Sequence, residues 1–391
     1  MIARIARTIG ERQRVLAGYR LAALLNSVPE PGVHAVKPQH RTPYYMRQPL
    51  LKPPSLEPGG TIGIFTPSFP AHLRFREKYL HGLAQLRAMG FRTVEGSLTA
   101  RGTHQGFRSG TPLERAREFM ELIENPEVDC LMSAIGGLNS ASMIPHLDYD
   151  RIRARPKAVC GYSDVTSLQL ALLAYAGVAP FYGPAVVPSF GEWPAVLPET
   201  RESFLDAVQR HRAGTRELAP PPRWSAHRRD PTTDEWRSLP REFEPNPGWR
   251  ALIPGHARGP VLVANLDTLT TAAGTPHFPA LDGVILVLEE MDAPLSREER
   301  CFRHLQLLGV FDRIAGLLVS KPEQYDREGA PFEYDDLVRE IVGERPYPVV
   351  TRFDCGHTHP MLTIGKMSEM ALDAGLGGAV RVTVGPAVAA R

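Results

Sequence analysis

Three short stretches hold the side chains able to do covalent chemistry. In the first, Ala158-Val159-Cys160-Gly161-Tyr162-Ser163-Asp164-Val165-Thr166, an apolar run meets a Gly and then a Ser, and a helical pattern follows to Ala176. Strand, tight turn and helix in that order expose the hydroxyl and aim the first N–H groups of the helix at whatever it attacks. The plainer reading is that Ser163 or Asp164 only caps the helix, a place both residue types favour. The second stretch is Glu289-Glu290, closing the apolar run from Gly283 to Leu288. A carboxylate there is either buried with a partner or the first exposed residue after the strand, and neighbours on a strand point to opposite faces. The third is Asp354-Cys355-Gly356-His357-Thr358-His359-Pro360, two imidazoles in a turn beside a strand end.

A serine nucleophile needs a base within hydrogen-bond reach, and the base needs an acid that fixes its tautomer. Ser163, Glu289 and His357 supply these groups in the chain order nucleophile, acid, base, which is also the order of the α/β-hydrolases. The second Gly of their Gly-x-Ser-x-Gly turn is absent, however, and acid and base lie in a different part of the chain. His357-x-His359 beside a carboxylate also resembles the ligands of a hydrolytic zinc site. A metal-dependent amidohydrolase is therefore a competing expectation, although no further residues of ligand spacing accompany the pair. A non-catalytic small-molecule binding protein on the same scaffold is a third.

The elements that must position these groups fall into two sets. Thr61 to Thr66, Thr93 to Ser97, Asp129 to Ile135, the run at Ala158, and Ala179 to Tyr182 read as short strands. Amphipathic helices separate them, one from Leu73 to Met89 and one opened by the capping box Thr111-Pro112-Leu113-Glu114. Such alternation predicts βαβ units and a parallel sheet covered on both faces, with ligands at the carboxyl ends of its strands. Gly136-Gly137 and Ser163 both fall at such ends. From Phe190 to Gly259 the pattern dissolves among prolines, yet Trp193, Trp224, Trp236 and Trp249 all lie there. That much aromatic area packs against something, as a wall of the site or as an anchor for the loop. Order returns with strands at Pro260 to Leu266, Gly283 to Leu288, Ile314 to Val319 and Val349 to Phe353, a helix from Arg297 to Phe311, and an antiparallel tail. The domains expected are a basic, proline-rich extension over 1–57, a nucleophile-bearing α/β domain over 58–190, an insert over 191–258 and a C-terminal domain over 259–391 carrying Glu and His.

With 45 basic and 43 acidic residues the formal charge is +2, so no nucleic-acid polymer is implied as a partner. No apolar run approaches a membrane span. Cys130, Cys160, Cys301 and Cys355 are widely spaced and read as small buried hydrophobes in a reducing, cytoplasmic setting. The first 50 residues carry Arg4, Arg7, Arg12, Arg14 and Arg20 among Ile and Leu, the pattern of a basic amphipathic helix or of a loose extension ahead of a start at Met46.

From about Pro58 onward the chain resembles the LD-carboxypeptidase family of serine peptidases, which also holds the microcin C immunity-type hydrolases. The likeness rests on Gly60-Thr61-Ile62-Gly63-Ile64, Ala134-Ile135-Gly136-Gly137, Leu147-Asp148-Tyr149-Asp150, Pro156-Lys157 leading to Gly161-Tyr162-Ser163-Asp164-Val165-Thr166, Tyr182-Gly183-Pro184, Leu288-Glu289-Glu290 and Cys355-Gly356-His357. It implies a flavodoxin-like first domain of the class I glutamine amidotransferase kind and a sheet-rich α/β second domain. It implies Ser163 as nucleophile with Glu289 and His357 completing the triad, Glu290 and His359 being the near alternatives. Gly136, Gly137 and the amide of Asp164 then form the oxyanion hole. The resemblance implies a homodimer that needs no metal or cofactor and cuts a terminal D-amino acid from murein peptides, or in the immunity-type branch an aminoacyl-nucleotide. For the latter, Trp193 would suit stacking on the base.

Overall fold

The computed structural model describes residues 50–389, apart from Ala213 and Ala293. The basic helix expected near the N-terminus lies outside the described residues. What is described of the proline-rich tether is packed down: Leu51 bridges Val178, and the Leu56 amide donates to the Val208 carbonyl at 2.8 Å.

Five strands come first: β1 (Thr61–Phe65), β2 (Arg92–Glu95), β3 (Cys130–Ser133), β4 (Ala158–Gly161) and β5 (Phe181–Tyr182). Next are β6 (Arg216–Leu218), β7 (Arg223–Trp224), β8 (Glu244–Pro245) and β9 (Arg250–Ile253). The second half supplies β10 (Gly255–Asn265), β11 (Ile285–Glu289), β12 (Gly316–Ser320), β13 (Val349–Phe353), β14 (Ile364–Gly365), β15 (Glu369–Ala374) and β16 (Val380–Val384).

The first sheet runs β14-β5-β4-β3-β1-β2, with β1 to β5 parallel. Every residue of β1, β3 and β4 is buried, as strands covered on both faces must be. The order 2-1-3-4-5 is the flavodoxin-like one expected, and it reverses between β1 and β3, opening a crevice at the carboxyl ends of the strands. The second sheet runs β6-β16-β15-β10-β11-β12-β13-β9, a parallel centre flanked by antiparallel strands. Helices Leu295–Leu307 and Tyr334–Val342 cover one of its faces with Phe302, Leu305, Leu337 and Ile341. Its other face, with Val261, Val263, Val287, Leu318 and Val350, packs against Tyr162 and Tyr182 of the first lobe.

The stretch after Phe190 holds more order than its sequence pattern shows. Helix Pro198–Val208 buries Thr200, Ser203, Phe204, Ala207 and Val208, a helical period in which two of the five are hydroxyl residues. Those hydroxyls accept the amides of Met361, at 3.1 Å, and Thr363, at 2.8 Å. Strands β6 and β9 close the two edges of the second sheet. The segment from Asp354 to Thr363 leaves β13 in the second sheet and reaches β14 on the first, so the His357 turn is held at both ends.

Candidate active site

The end of β4 delivers Ser163 at φ +63°, the left-handed region that costs a non-Gly residue about 1–3 kcal/mol and persists only where its surroundings enforce it. Buried Gln169, one turn into the following helix, donates to the carbonyls of Gly161 at 2.9 Å and Phe181 at 2.7 Å. Helix, elbow and β5 are thereby tied together. Asp164 occupies the cap position, but its side chain makes no capping bond. It reaches across instead to the amides of Asn139 and Ser140, both at 2.9 Å. The capping reading of this turn is thus corrected: the carboxylate fixes the loop that follows β3.

That loop brings Gly136 and Gly137 beside the Ser. A β-carbon on Gly136 would lie 2.9 Å from Ser163 Cβ and 3.2 Å from the Asp164 nitrogen, so only Gly allows this approach. Gly137 has φ +146°, and a β-carbon there would meet Ser68 Cβ at 2.7 Å. Ser68 in turn accepts the amides of Leu138 and Asn139. Buried Arg115 donates to the Pro67 carbonyl at 2.6 Å and to Asn139 Oδ1 at 2.6 Å, locking the loops after β1 and β3 to each other.

The second lobe supplies a carboxylate and an imidazole. Glu289, buried at the end of β11, accepts from His357 Nδ1 at 2.6 Å through Oε2. Its Oε1 accepts from the Tyr182 hydroxyl and from Asn265 Nδ2. Tyr182 also accepts the Ser163 amide at 3.1 Å, so one hydroxyl links the elbow to the carboxylate. Burial, reinforced by the Glu289 charge, pushes the Tyr182 phenol well above its ordinary value and keeps it a donor. Burial opposes charging His357, but the charge and hydrogen bond of Glu289 outweigh it and leave the imidazole raised. With Nδ1 engaged, Nε2 is the nitrogen available to the cavity, and the Tyr162 ring lies 4.7 Å from the imidazole. Ser163, Gly136, Gly137 and His357 line one cavity of about 360 Å³.

Glu290 does not reach His357; it accepts from Asn265, from the Asp267 amide at 2.8 Å and from the Met291 amide. His359 pairs through its backbone with Ser225 and lines the same cavity. Burial, then the charges of Arg241, Lys78 and Arg229, hold its imidazole well below the ordinary value. Among the described residues no three His, Cys, Asp or Glu side chains are grouped to hold a metal ion.

Two comparisons decide the family. Residues 62–183 match the LD-carboxypeptidase N-terminal domain and residues 258–370 the LD-carboxypeptidase C-terminal domain. The Microcin C7 self-immunity protein MccF of Escherichia coli is 38% identical over 326 residues, covering 83% of this chain and 93% of that protein. The chain belongs to the LD-carboxypeptidase family. It is therefore an enzyme of a serine-peptidase family, a hydrolase. The structure of MccF in complex with aspartyl sulfamoyl adenosine superposes with a TM-score of 0.81 at 36% identity, over 87% of this chain and all, 100%, of that one. The murein tetrapeptide carboxypeptidase of Pseudomonas aeruginosa is 26% identical over 201 residues, 50% of this chain and 56% of that protein.

In this LD-carboxypeptidase family member the structure does not bring Trp193 to the Ser163 cavity. Its ring stands 5.0 Å from His81 and 6.0 Å from Trp236, beside a neighbouring cavity lined by Arg223 and Phe243. Trp249 donates to Asp354 at 2.8 Å and packs on Phe353, anchoring the insert to the strand that leads to His357. The sequence reading missed Tyr182 as a bridge and Asn265 as a second donor to Glu289. Tyr182-Gly183-Pro184 was the one available signal, a tyrosine at the end of a parallel strand adjacent to the elbow.

Proposed function

We propose that the chain hydrolyses an acyl–amide bond through an acyl-enzyme on Ser163. What supports this most directly is that His357, held by Glu289 at 2.6 Å, lines the same cavity as Ser163, whose φ is +63°. His357 Nε2 takes the Ser163 proton as Oγ bonds to the carbonyl carbon. Amides of Asp164 and of Gly136 or Gly137 receive the oxyanion, each donor contributing about 3 kcal/mol. His357 passes the proton to the departing nitrogen as the C–N bond breaks, and water, deprotonated by the same imidazole, releases the acid. Glu289 holds the imidazole tautomer, and Tyr182 and Asn265 hold Glu289.

The substrate in this reading is a short peptide ending in a D-amino acid, of the murein tetrapeptide kind. The likeness to MccF favours a second substrate, an aminoacyl group joined to a nucleotide. A homodimer and a cytoplasmic setting belong to the same reading, and four buried free cysteines support the reducing compartment. The test is to offer murein tetrapeptide and an aminoacyl-adenosine phosphoramidate side by side to the parent and to Ser163→Ala. The parent cuts at least one and the variant neither, with the same thermal melt. Turnover by Ser163→Ala at the parent's rate ends the proposal.

A further inference from the structure

Lys78 stands in the wall of the Ser163 cavity, on helix Arg76–Ala88, and only 7% of it is exposed. Its ammonium makes no hydrogen bond or ion pair with any described residue. Its Nζ keeps access to the cavity, but an ammonium with this little water around it and no partner is costly, and an anion bound there would offset the cost. Nor is its position loose: a β-carbon on Gly191 would lie 2.8 Å from Lys78 Cγ, so the stem is packed against the turn after β5.

The neighbourhood sharpens the imbalance. Buried Glu192 accepts from both Arg229 and Arg241, which the insert contributes to the same cavity. Both oxygens of Glu192 are thus taken by guanidinium groups, and its charge acts on Lys78 without a bond. Arg228, at the rim, is paired with Asp292 at 3.1 Å. The acid that does line the cavity, Glu323, bonds through its amide to the Glu290 carbonyl, and its charge acts on His357. Burial holds Lys78 down at about 8, Glu192 opposing this and Arg241, Arg229 and Arg228 adding to it. The ammonium is therefore still the main form at neutral pH, and an arriving anion would stabilise it further.

The two substrates of the proposed reaction share one feature. A peptide ending in a D-amino acid carries its carboxylate one carbon from the scissile nitrogen, and an aminoacyl-nucleotide carries a phosphoryl group on that nitrogen. Each places an anion within two bonds of the bond that Ser163 cleaves, inside a cavity of about 360 Å³ that also holds Lys78. We propose that Lys78 is the specificity-determining residue that receives this leaving-side anion, an inference that rests on the hydrolase reading above.

The experiment compares kcat/KM for N-acetyl-L-lysyl-D-alanine and for its C-terminal amide in the parent, Lys78→Met and Lys78→Arg. A second arm uses an aminoacyl-adenosine phosphoramidate. The parent prefers the free acid, and Lys78→Met loses that preference by about 10- to 100-fold, mostly in KM, as removal of a charge-assisted bond does. Lys78→Arg retains most of it, which a packing role for the stem would not produce. A loss confined to the phosphoramidate arm assigns the site to a phosphoryl group and supports the proposal equally. An unchanged acid-over-amide preference together with unchanged kcat/KM for the phosphoramidate in Lys78→Met, with the parent active, overturns the inference and leaves the hydrolase intact. A parent that turns over no probe and fails to react with a fluorophosphonate overturns both.

Discussion

Gly356 passes so close to Glu289 that a β-carbon on it would stand 2.7 Å from the Glu289 Cβ and nearer still to Oε2. Its φ of +141° is also one that other residues avoid. Both facts follow from where His357 must be: the next residue has to present Nδ1 to a carboxylate on β11, and the backbone can come that near only without a side chain. Gly356→Ala is expected to lower stability by about 2 kcal/mol or more and to cut kcat/KM by at least 100-fold. A thermal melt and a rate measured well below Tm separate the two effects. A variant with the parent's rate would mean that the Glu289–His357 contact is not needed in the form described.

The acid limb of the pH–rate profile reports His357, which must be neutral to accept the Ser163 proton. Because Glu289 outweighs burial and raises the imidazole, the limb is expected above the ordinary imidazole value of about 6.5. Glu289→Gln removes the counter-charge and leaves burial in place, so the limb moves to lower pH while the plateau falls by roughly three to four orders of magnitude. For stability the sign is different. A raised folded-state value contributes fully below the unfolded imidazole's pKa, and the contribution fades as pH rises through the folded one. A limb that stays put in Glu289→Gln would assign it to another group.

Asp164 is expected to matter through the loop it holds. Removing its carboxylate in Asp164→Ala leaves the amides of Asn139 and Ser140 without their acceptor, at about 1–3 kcal/mol of stability if both stay buried. The loop carrying Gly136 and Gly137 then loosens, and kcat drops by about 10- to 100-fold with KM little changed, because an oxyanion donor acts in the transition state. Asp164→Asn keeps an acceptor oxygen and should recover part of kcat. Equal losses in kcat for both variants would argue that charge, not loop geometry, is what Asp164 supplies.

Much of the first lobe is legible in the sequence because its signals are local. The capping box at Thr111 and Glu114 is present as read, with both reciprocal bonds, and each apolar strand ends where its chemistry-bearing residue begins. The doublet Glu289-Glu290 is not resolved by sequence, since a strand end does not say which carboxylate faces the partner lobe. Lys78, Arg115, Glu192 and Tyr182 are illegible for a related reason. Their meaning lies in partners far along the chain, such as Arg229 and Arg241 for Glu192, and no spacing rule connects them. The order after Phe190 stays hidden because β6 to β9 are two to four residues long, too short for alternation to register, and because hydroxyls occupy buried positions of its helix.

Trp193 provides a test of the boundary between site and scaffold. The residue is 42% exposed, yet its ring faces His81 and Trp236 beside a cavity that Ser163 does not line. Binding of an aminoacyl-adenosine phosphoramidate to Trp193→Ala, in a Ser163→Ala background that prevents turnover, is therefore expected to stay within about twofold of the parent. Loss of the ring contacts should appear instead as about 1 kcal/mol of stability. Calorimetric titration measures the first and denaturant unfolding the second. A tenfold weaker complex with unchanged stability would place the base against Trp193, which requires Trp193 to move toward the Ser163 cavity when a nucleotide binds.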